Sequence, residues 1–359
     1  MSHNTLFSEY KLGSTTLKNR VVMAPMTRSR AIDNKPNELH VEHYTQRAGA
    51  GLIITEGTSP SPNGLGYPRI PGLFNHEQVA AWKKVTEAVH AKGARIFVQL
   101  MHTGRVSHPA NLPDGAKHIG PSAIAVDGEM YTDSAGPQPF PVPQEMTADD
   151  IETAINEYVT SSKLAIEAGF DGVELHAANG YLMEQFLSPS ANQRNDAFGG
   201  TPDKRNHFVI ETAKRVVAAI GKDHVGIRLS PYGAFNSIVP FEGITEQYVA
   251  LSKALGEIGL TYIHIVDHSS MGTPEVPWET KRAMRDAFGG TLILSGGYDA
   301  DRAEADLVEG KGHLVAFGRP FISNPDLVDR MKHGKELAAP EFNTFYTPGP
   351  AGYTDYPTA

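Results

Sequence analysis

A histidine, an asparagine and a tyrosine fall within one short run at His176, Asn179 and Tyr181. Two N–H donors that meet on one oxygen can hold a developing negative charge, as an oxyanion hole does. A tyrosine with a reference pKa near ~10 is protonated at neutral pH and serves as a general acid. Singly, such a His or Tyr serves equally well as a structural residue; joined in one run they point to proton and hydride chemistry on an acceptor. Two further loops, Ser295-Gly296-Gly297 and Gly318-Arg319, pair glycines with an arginine. Glycines let backbone N–H groups approach an anion and the guanidinium adds a fixed charge, so a phosphate site is expected there; the other reading is a pair of tight turns with Arg319 on a surface carboxylate. Thr27, Gln99 and Arg228 offer donors and acceptors suited to a flat heterocycle. Arg228 equally well forms an internal ion pair with Glu174.

These residues end short apolar runs, and the runs number eight: 20–26, 51–56, 95–101, 172–176, 225–230, 262–266, 292–295 and 314–317. Each is too short for a helix and reads as a strand buried on both faces. Helical patterns alternate with them, at 76–91, 149–168, 204–220, 246–258 and 326–333, with Thr147 and Thr245 as expected caps and Gly169, Gly221 and Gly259 as stops. Eight such units predict an α/β fold, a (β/α)8 TIM barrel whose site lies at the C-terminal strand ends. A doubly wound sheet fits less well, because no strand leads into a glycine-rich dinucleotide fingerprint.

The chain has 359 residues, a net charge of −9 and no cysteine. Disulfide frameworks, thiolate metal sites and cysteine nucleophiles are excluded, and dispersed basic residues argue against nucleic-acid binding. No signal-like segment or long apolar run is found, so a cytoplasmic protein without a membrane partner is expected. With 35 glycines and 25 prolines, the chain is rich in loops, where function concentrates. A proline-rich excursion at 104–146 reads as a lid with one hairpin, and the tail at 338–359, with five aromatics in a short coil, is expected to pack on the barrel rather than dangle. One domain, 1–359, is the expectation.

Four segments carry a resemblance: Val22-Met-Ala-Pro-Met-Thr-Arg28, His176-Ala-Ala-Asn-Gly-Tyr-Leu182, the stretch 185–200, and Ala316-Phe-Gly-Arg319 with Ile322-Ser-Asn-Pro-Asp-Leu327. Together they resemble the Old Yellow Enzyme family of flavin mononucleotide (FMN) ene-reductases, across nearly the whole chain. The resemblance implies tight non-covalent FMN, NAD(P)H as hydride donor, and activated alkenes, nitro compounds or nitrate esters as acceptors. It implies that Pro25, Met26, Thr27, Gly57, Gln99 and Arg228 surround the ring system, with Thr27 near O4, and that Ser295, Gly296, Gly297, Gly318 and Arg319 hold the ribityl phosphate. His176 and Asn179 would grip the substrate oxygen, Tyr181 would donate the proton, and Tyr67, Met101 and Tyr346 would line the pocket. Asn179 stands where many bacterial members have a second histidine, and Met101 where a tryptophan is common. Monomer and homodimer both fit.

A phosphate-binding barrel lyase or isomerase is the competing function, but no lysine lies in any of the eight runs and Glu56 is the one strand-end glutamate. A metal site is not expected: His264 and His268, the best pair, would lie about 13 Å apart along a strand.

Overall fold

The computed structural model describes residues 3–359. Eight parallel strands close a barrel: β1 (Val21–Met23), β2 (Leu52–Ile54), β3 (Arg95–Leu100), β4 (Gly172–Ala177), β5 (Val225–Leu229), β6 (Tyr262–Val266), β7 (Thr291–Ser295) and β8 (Leu314–Phe317). Each pairs with its sequence neighbour, and β8 returns to β1, so the expected TIM barrel is the observed one. Strand sequences such as Val-Val-Met and Leu-Ile-Ile are buried throughout, as a sheet covered on both faces requires.

Ten helices accompany the strands. α2 (His76–Ala91), α3 (Ala148–Glu167), α5 (Pro202–Ile220), α6 (Ile244–Ile258) and α10 (Leu327–His333) match the expected patterns within two residues. α1 (Glu38–Gln46), α4 (Leu182–Leu187), α7 (Trp278–Phe288), α8 (Ala300–Val308) and α9 (Arg319–Ser323) complete the set. Thr147 caps α3 by accepting from the Asp150 N–H. Thr245 does not cap α6: Gly243 stands at that position, and the Thr245 hydroxyl is engaged sideways by Tyr232 Oη and Thr280 Oγ1.

The barrel interior is layered. A hairpin of Tyr10–Leu12 and Thr15–Leu17 closes the N-terminal end, and Leu12 and Leu17 pack on Val22, Leu52, Phe97, Ile293 and Leu314. One side-chain period further along the strands, Phe97 gives way to Gln99 and Tyr262 to His264. The interior thus turns from apolar to polar toward the C-terminal strand ends.

Two additions roof that end. Residues 104–146 contain the expected hairpin, Glu129–Thr132 against Gly136–Pro139, and also a parallel pair, Ile119–Gly120 with Gln144–Glu145. The tail is clamped by three buried arginines. Arg30 donates to the carbonyls of Thr344, Phe345, Gly349 and Ala351, Arg28 to Phe345 and Gly352, and Arg47 to Tyr353. Tyr353 is buried and stacks on His43 with ring centroids 3.9 Å apart. The tail packs on the barrel through these bonds and Tyr353, while Phe342 and Tyr346 within it are 62% and 61% exposed. Among the described residues no helix is long and apolar enough to cross a membrane.

Candidate active site

The strand ends converge on a cavity of about 1060 Å³. Pro25 and Thr27 follow β1, Gln99 and Met101 end β3, His176, Asn179 and Tyr181 end β4, and Arg228 lies in β5; all line it, together with Tyr67 and Tyr346. The sheet register explains the grouping: His176 is the direct neighbour of Arg228, and Arg228 of His264.

Beneath the cavity Glu174 is fully buried. It accepts from Gln99 Nε2 at 2.9 Å and Tyr262 Oη at 3.1 Å and bonds His264 Nδ1 at 2.9 Å. Burial opposes its charge, but His264, Arg228 and the Gln99 bond outweigh it and hold the carboxyl below its ordinary pKa. The sequence alternative of a direct Glu174–Arg228 ion pair is not what forms: Glu174 bonds Gln99, Tyr262 and His264 instead. Arg228 Nε is therefore left buried without a partner. A permanently charged fork with an unfilled donor beside a cavity is built for a ligand.

Each residue of the His176–Tyr181 run is held differently. Burial, followed by the nearby Arg228 charge, pushes the His176 imidazole well below its ordinary pKa, so it is neutral. Its Nδ1 accepts from the Ala178 N–H at 3.3 Å, which places the proton on Nε2 as a donor. Asn179 adopts a left-handed φ of +58°. Its N–H donates to Ser230 Oγ at 2.9 Å, and its carbonyl accepts from Asn236 Nδ2 at 2.7 Å. Glu184, the third residue of α4, secures the turn by accepting from the Gly180 N–H and from Ser230 Oγ. Tyr181 Oη lies 3.0 Å from Tyr67 Oη, and burial raises its pKa to about 12.

The remaining expected residues flank the cavity rather than line it. Gly57 is dictated by packing, since a methyl group there would meet Met101 Sδ at 2.5 Å. Gly296 has φ +134° and a Cβ there would strike the Asp267 carbonyl at 2.2 Å, while Gly297 has φ +62°. Gly318 lies against Met26 Sδ, so the loop after β8 adjoins the loop after β1. Ser295 ends β7 beside them. Arg319 is exposed, and among the described residues its only recorded side-chain contact is with the Phe342 ring, its guanidinium carbon 5.7 Å from the centroid. No metal-binding cluster occurs among the described residues.

Sequence reasoning missed part of the mouth. Asp127, Glu129 and Tyr131 arrive on the 104–146 excursion, Asn236 and Ser237 after β5, and Arg69 after β2. Arg69 bonds Asp133 in the hairpin and the Tyr346 carbonyl, tying hairpin to tail. The positive φ values of Asn236 and Ser237, +53° and +59°, mark a tight bend; an Asn-Ser pair after a strand was the available signal.

A parallel barrel with its polar residues at the C-terminal strand ends is the architecture of a TIM-barrel enzyme. The comparison with known proteins narrows the class. Residues 5–338 match the model of the NADH:flavin oxidoreductase / NADH oxidase family, and the chain belongs to it. It is 40% identical to 12-oxophytodienoate reductase 7 of Oryza sativa subsp. japonica, over 98% of this chain and 94% of that protein. It is 38% identical to a probable flavin mononucleotide-dependent alkene reductase of Leishmania infantum, over 96% and 95%. The solved structure of morphinone reductase superposes with a TM-score of 0.95 at 41% identity, covering 100% of this chain and 97% of that one. The chain is an FMN-dependent NAD(P)H oxidoreductase of the Old Yellow Enzyme type, as the sequence resemblance implied.

The residues present fit FMN. Thr27, Gln99 and the unpartnered Arg228 Nε offer polar groups to a ring system. The glycine turns after β7 and β8, with Arg319 beside them, leave backbone amides and a charge available to a phosphate.

Proposed function

We propose that this enzyme reduces the activated C=C bonds of α,β-unsaturated carbonyl and nitro compounds, with nitrate esters as further acceptors. The observation that carries the reading is the presence of two neutral donors, His176 and Asn179, and one protonated tyrosine on a single cavity wall. When bound, FMN supplies a hydride that originates in NAD(P)H. His176 Nε2 and Asn179 Nδ2 donate to the acceptor oxygen, drawing electron density from the β-carbon and holding the charge that follows hydride arrival. Tyr181 then gives its proton to the α-carbon, completing net addition of H⁻ and H⁺ across the double bond. Its high pKa keeps it loaded at neutral pH, and Tyr67 Oη donates to the tyrosinate left behind.

In the same reading Pro25, Met26, Thr27, Gly57, Gln99 and Arg228 surround the ring system, and Ser295, Gly296, Gly297, Gly318 and Arg319 hold the phosphate. Tyr67, Met101 and Tyr346 shape the acceptor pocket. The whole chain works as one FMN-binding barrel, with 104–146 as its lid and 338–359 as its tail. Its partners are small acceptors and NAD(P)H rather than nucleic acid or membrane, and a reducing cytoplasmic setting suits a chain without cysteine.

The test is spectroscopic. Purified enzyme should be yellow, bleach anaerobically with NADH or NADPH, and regain colour on addition of 2-cyclohexen-1-one with formation of cyclohexanone. Bleaching that the enone fails to reverse would contradict the acceptor assignment.

A further inference from the structure

Asn179 needs its amide the right way round. Only Nδ2 donates, so a rotation of half a turn about its last side-chain bond replaces a donor with an acceptor and sets Oδ1 against the substrate oxygen. Its backbone cannot make the choice, being pinned at N–H by Ser230, at C=O by Asn236 and at φ +58° whichever way the amide turns. Among the described residues one side chain hydrogen-bonds the amide: His268, in the loop after β6, whose Nε2 lies 2.9 Å from Asn179 Oδ1. The Phe235 ring meets the His268 imidazole edge to face, with centroids 4.6 Å apart, and limits its rotation.

We propose that His268 is a positioning residue that fixes the polarity of the substrate site, its Nε2–H donating to Asn179 Oδ1 and so turning Nδ2 toward the acceptor. The inference rests on the reading that Asn179 holds the substrate oxygen. A neutral imidazole has one N–H, and the tautomer decides the outcome: with the proton on Nε2, Asn179 presents a donor, whereas with it on Nδ1 the amide flips and presents an acceptor. Burial, followed by the Arg228 charge, lowers the His268 pKa to about 4, so the imidazole is neutral under working conditions and depends on this choice. The site therefore recognises ligands that offer an oxygen acceptor, through a residue 89 positions from the asparagine it directs.

A double-mutant cycle tests this on FMN-loaded enzyme, reading the Kd of 2-cyclohexen-1-one and the rate of anaerobic reoxidation it causes. One hydrogen bond that sets a donor is worth about 0.5–1.5 kcal/mol, so His268→Leu should weaken enone binding about threefold to tenfold. Asn179→Ala should do the same or more. The double variant should match Asn179→Ala, because His268 acts only through Asn179. His268→Gln, whose amide can also donate, should recover part of the loss. If His268→Leu loses FMN, the same cycle is run with His268→Asn, which is too short to reach Asn179. Losses that multiply in the double variant, or a His268 variant with wild-type enone affinity, would overturn the proposal. An Asn179→Ala variant with unchanged affinity would overturn the underlying reading of Asn179 as well, which distinguishes the two failures.

Discussion

The hydroxyls of Tyr67 and Tyr181 lie 3.0 Å apart although 114 residues separate them, and their rings meet edge to face with centroids 6.1 Å apart. Tyr67 comes from the loop after β2 and Tyr181 from the loop after β4, so the bond crosses the cavity wall. In the proposed mechanism this neighbour stabilises the anion that Tyr181 becomes on giving up its proton. Tyr67→Phe should slow enone-driven reoxidation about tenfold to a hundredfold, the worth of one hydrogen bond to a charged group, about 1.5–3 kcal/mol. Tyr181→Phe should slow it about 10² to 10⁴-fold, the usual range for loss of a general acid. Stopped-flow traces of both variants check the ranking; equal losses would show that Tyr67 is itself a donor of the proton.

The alkaline limb of the pH profile carries a second prediction. Tyr181 has its pKa raised to about 12, first by burial, with the Tyr67 bond working in the opposite direction. The reoxidation rate should therefore stay flat past pH 10, where an ordinary tyrosine would already be half ionised. Removing the Tyr67 hydroxyl removes a lowering influence, so the limb in Tyr67→Phe should move further up. A wild-type limb near pH 10 would contradict the burial argument.

Flavin retention tests the loops after β7 and β8. Arg319→Ala should weaken FMN binding by about one to two decades, since charge-assisted hydrogen bonds are worth about 1.5–3 kcal/mol. Riboflavin, which lacks the phosphate, should bind wild type and variant alike. Equilibrium dialysis gives both numbers, and equal FMN affinity in the two proteins would place the phosphate elsewhere.

The cavity mouth bears on the choice of nicotinamide. Asp127 and Glu129 line it, and Arg69, its one peripheral cation among the described residues, is already bonded to Asp133. A 2′-phosphate brought to this rim meets carboxylates, whereas a ribose hydroxyl can donate to them. NADH should therefore reduce the enzyme with a lower KM than NADPH, and added salt should narrow the difference as it screens the repulsion. A lower KM for NADPH at low ionic strength would count against this picture.

The tail should depend on Arg30, which is 2% exposed and donates to four tail carbonyls. Truncating it leaves several partly buried acceptors without their donor at once, and Arg30→Met should cost about 1–3 kcal/mol in urea unfolding. Protease cleavage between residues 338 and 359 should rise in parallel. An unchanged cleavage rate would mean that Arg28 and Arg47 suffice.

Strands were legible in the sequence because each is a short run buried on both faces, and their C-terminal residues could be named before any geometry was known. Helices α7 and α8 were harder, since Trp278–Phe288 is mostly polar and the nine-residue Ala300–Val308 owes its apolar face largely to alanines. Thr245 misled because a capping residue and a laterally bonded threonine look the same in sequence. The pocket residues Gln99, Met101, His176, Asn179, Tyr181 and Arg228 follow from strand-end logic. Arg69 and His268 are paired with residues far away in the chain, and Asp127 and Glu129 reach the mouth only through the path of the 104–146 excursion, which no local pattern reports. The exposure of Tyr346 likewise depends on where the arginine clamp sets the tail.

The division of labour on the β4 wall can be read in one comparison. Reduced wild type, His176→Ala and Tyr181→Phe are mixed anaerobically with 2-cyclohexen-1-one and, separately, with a nitroalkene whose nitronate product protonates in water. His176→Ala should reoxidise slowly with both acceptors, because the oxygen is no longer held. Tyr181→Phe should reoxidise slowly with the enone yet near the wild-type rate with the nitroalkene. A Tyr181→Phe enzyme that keeps the wild-type rate with the enone and still yields cyclohexanone would contradict the assignment of Tyr181 as the proton donor.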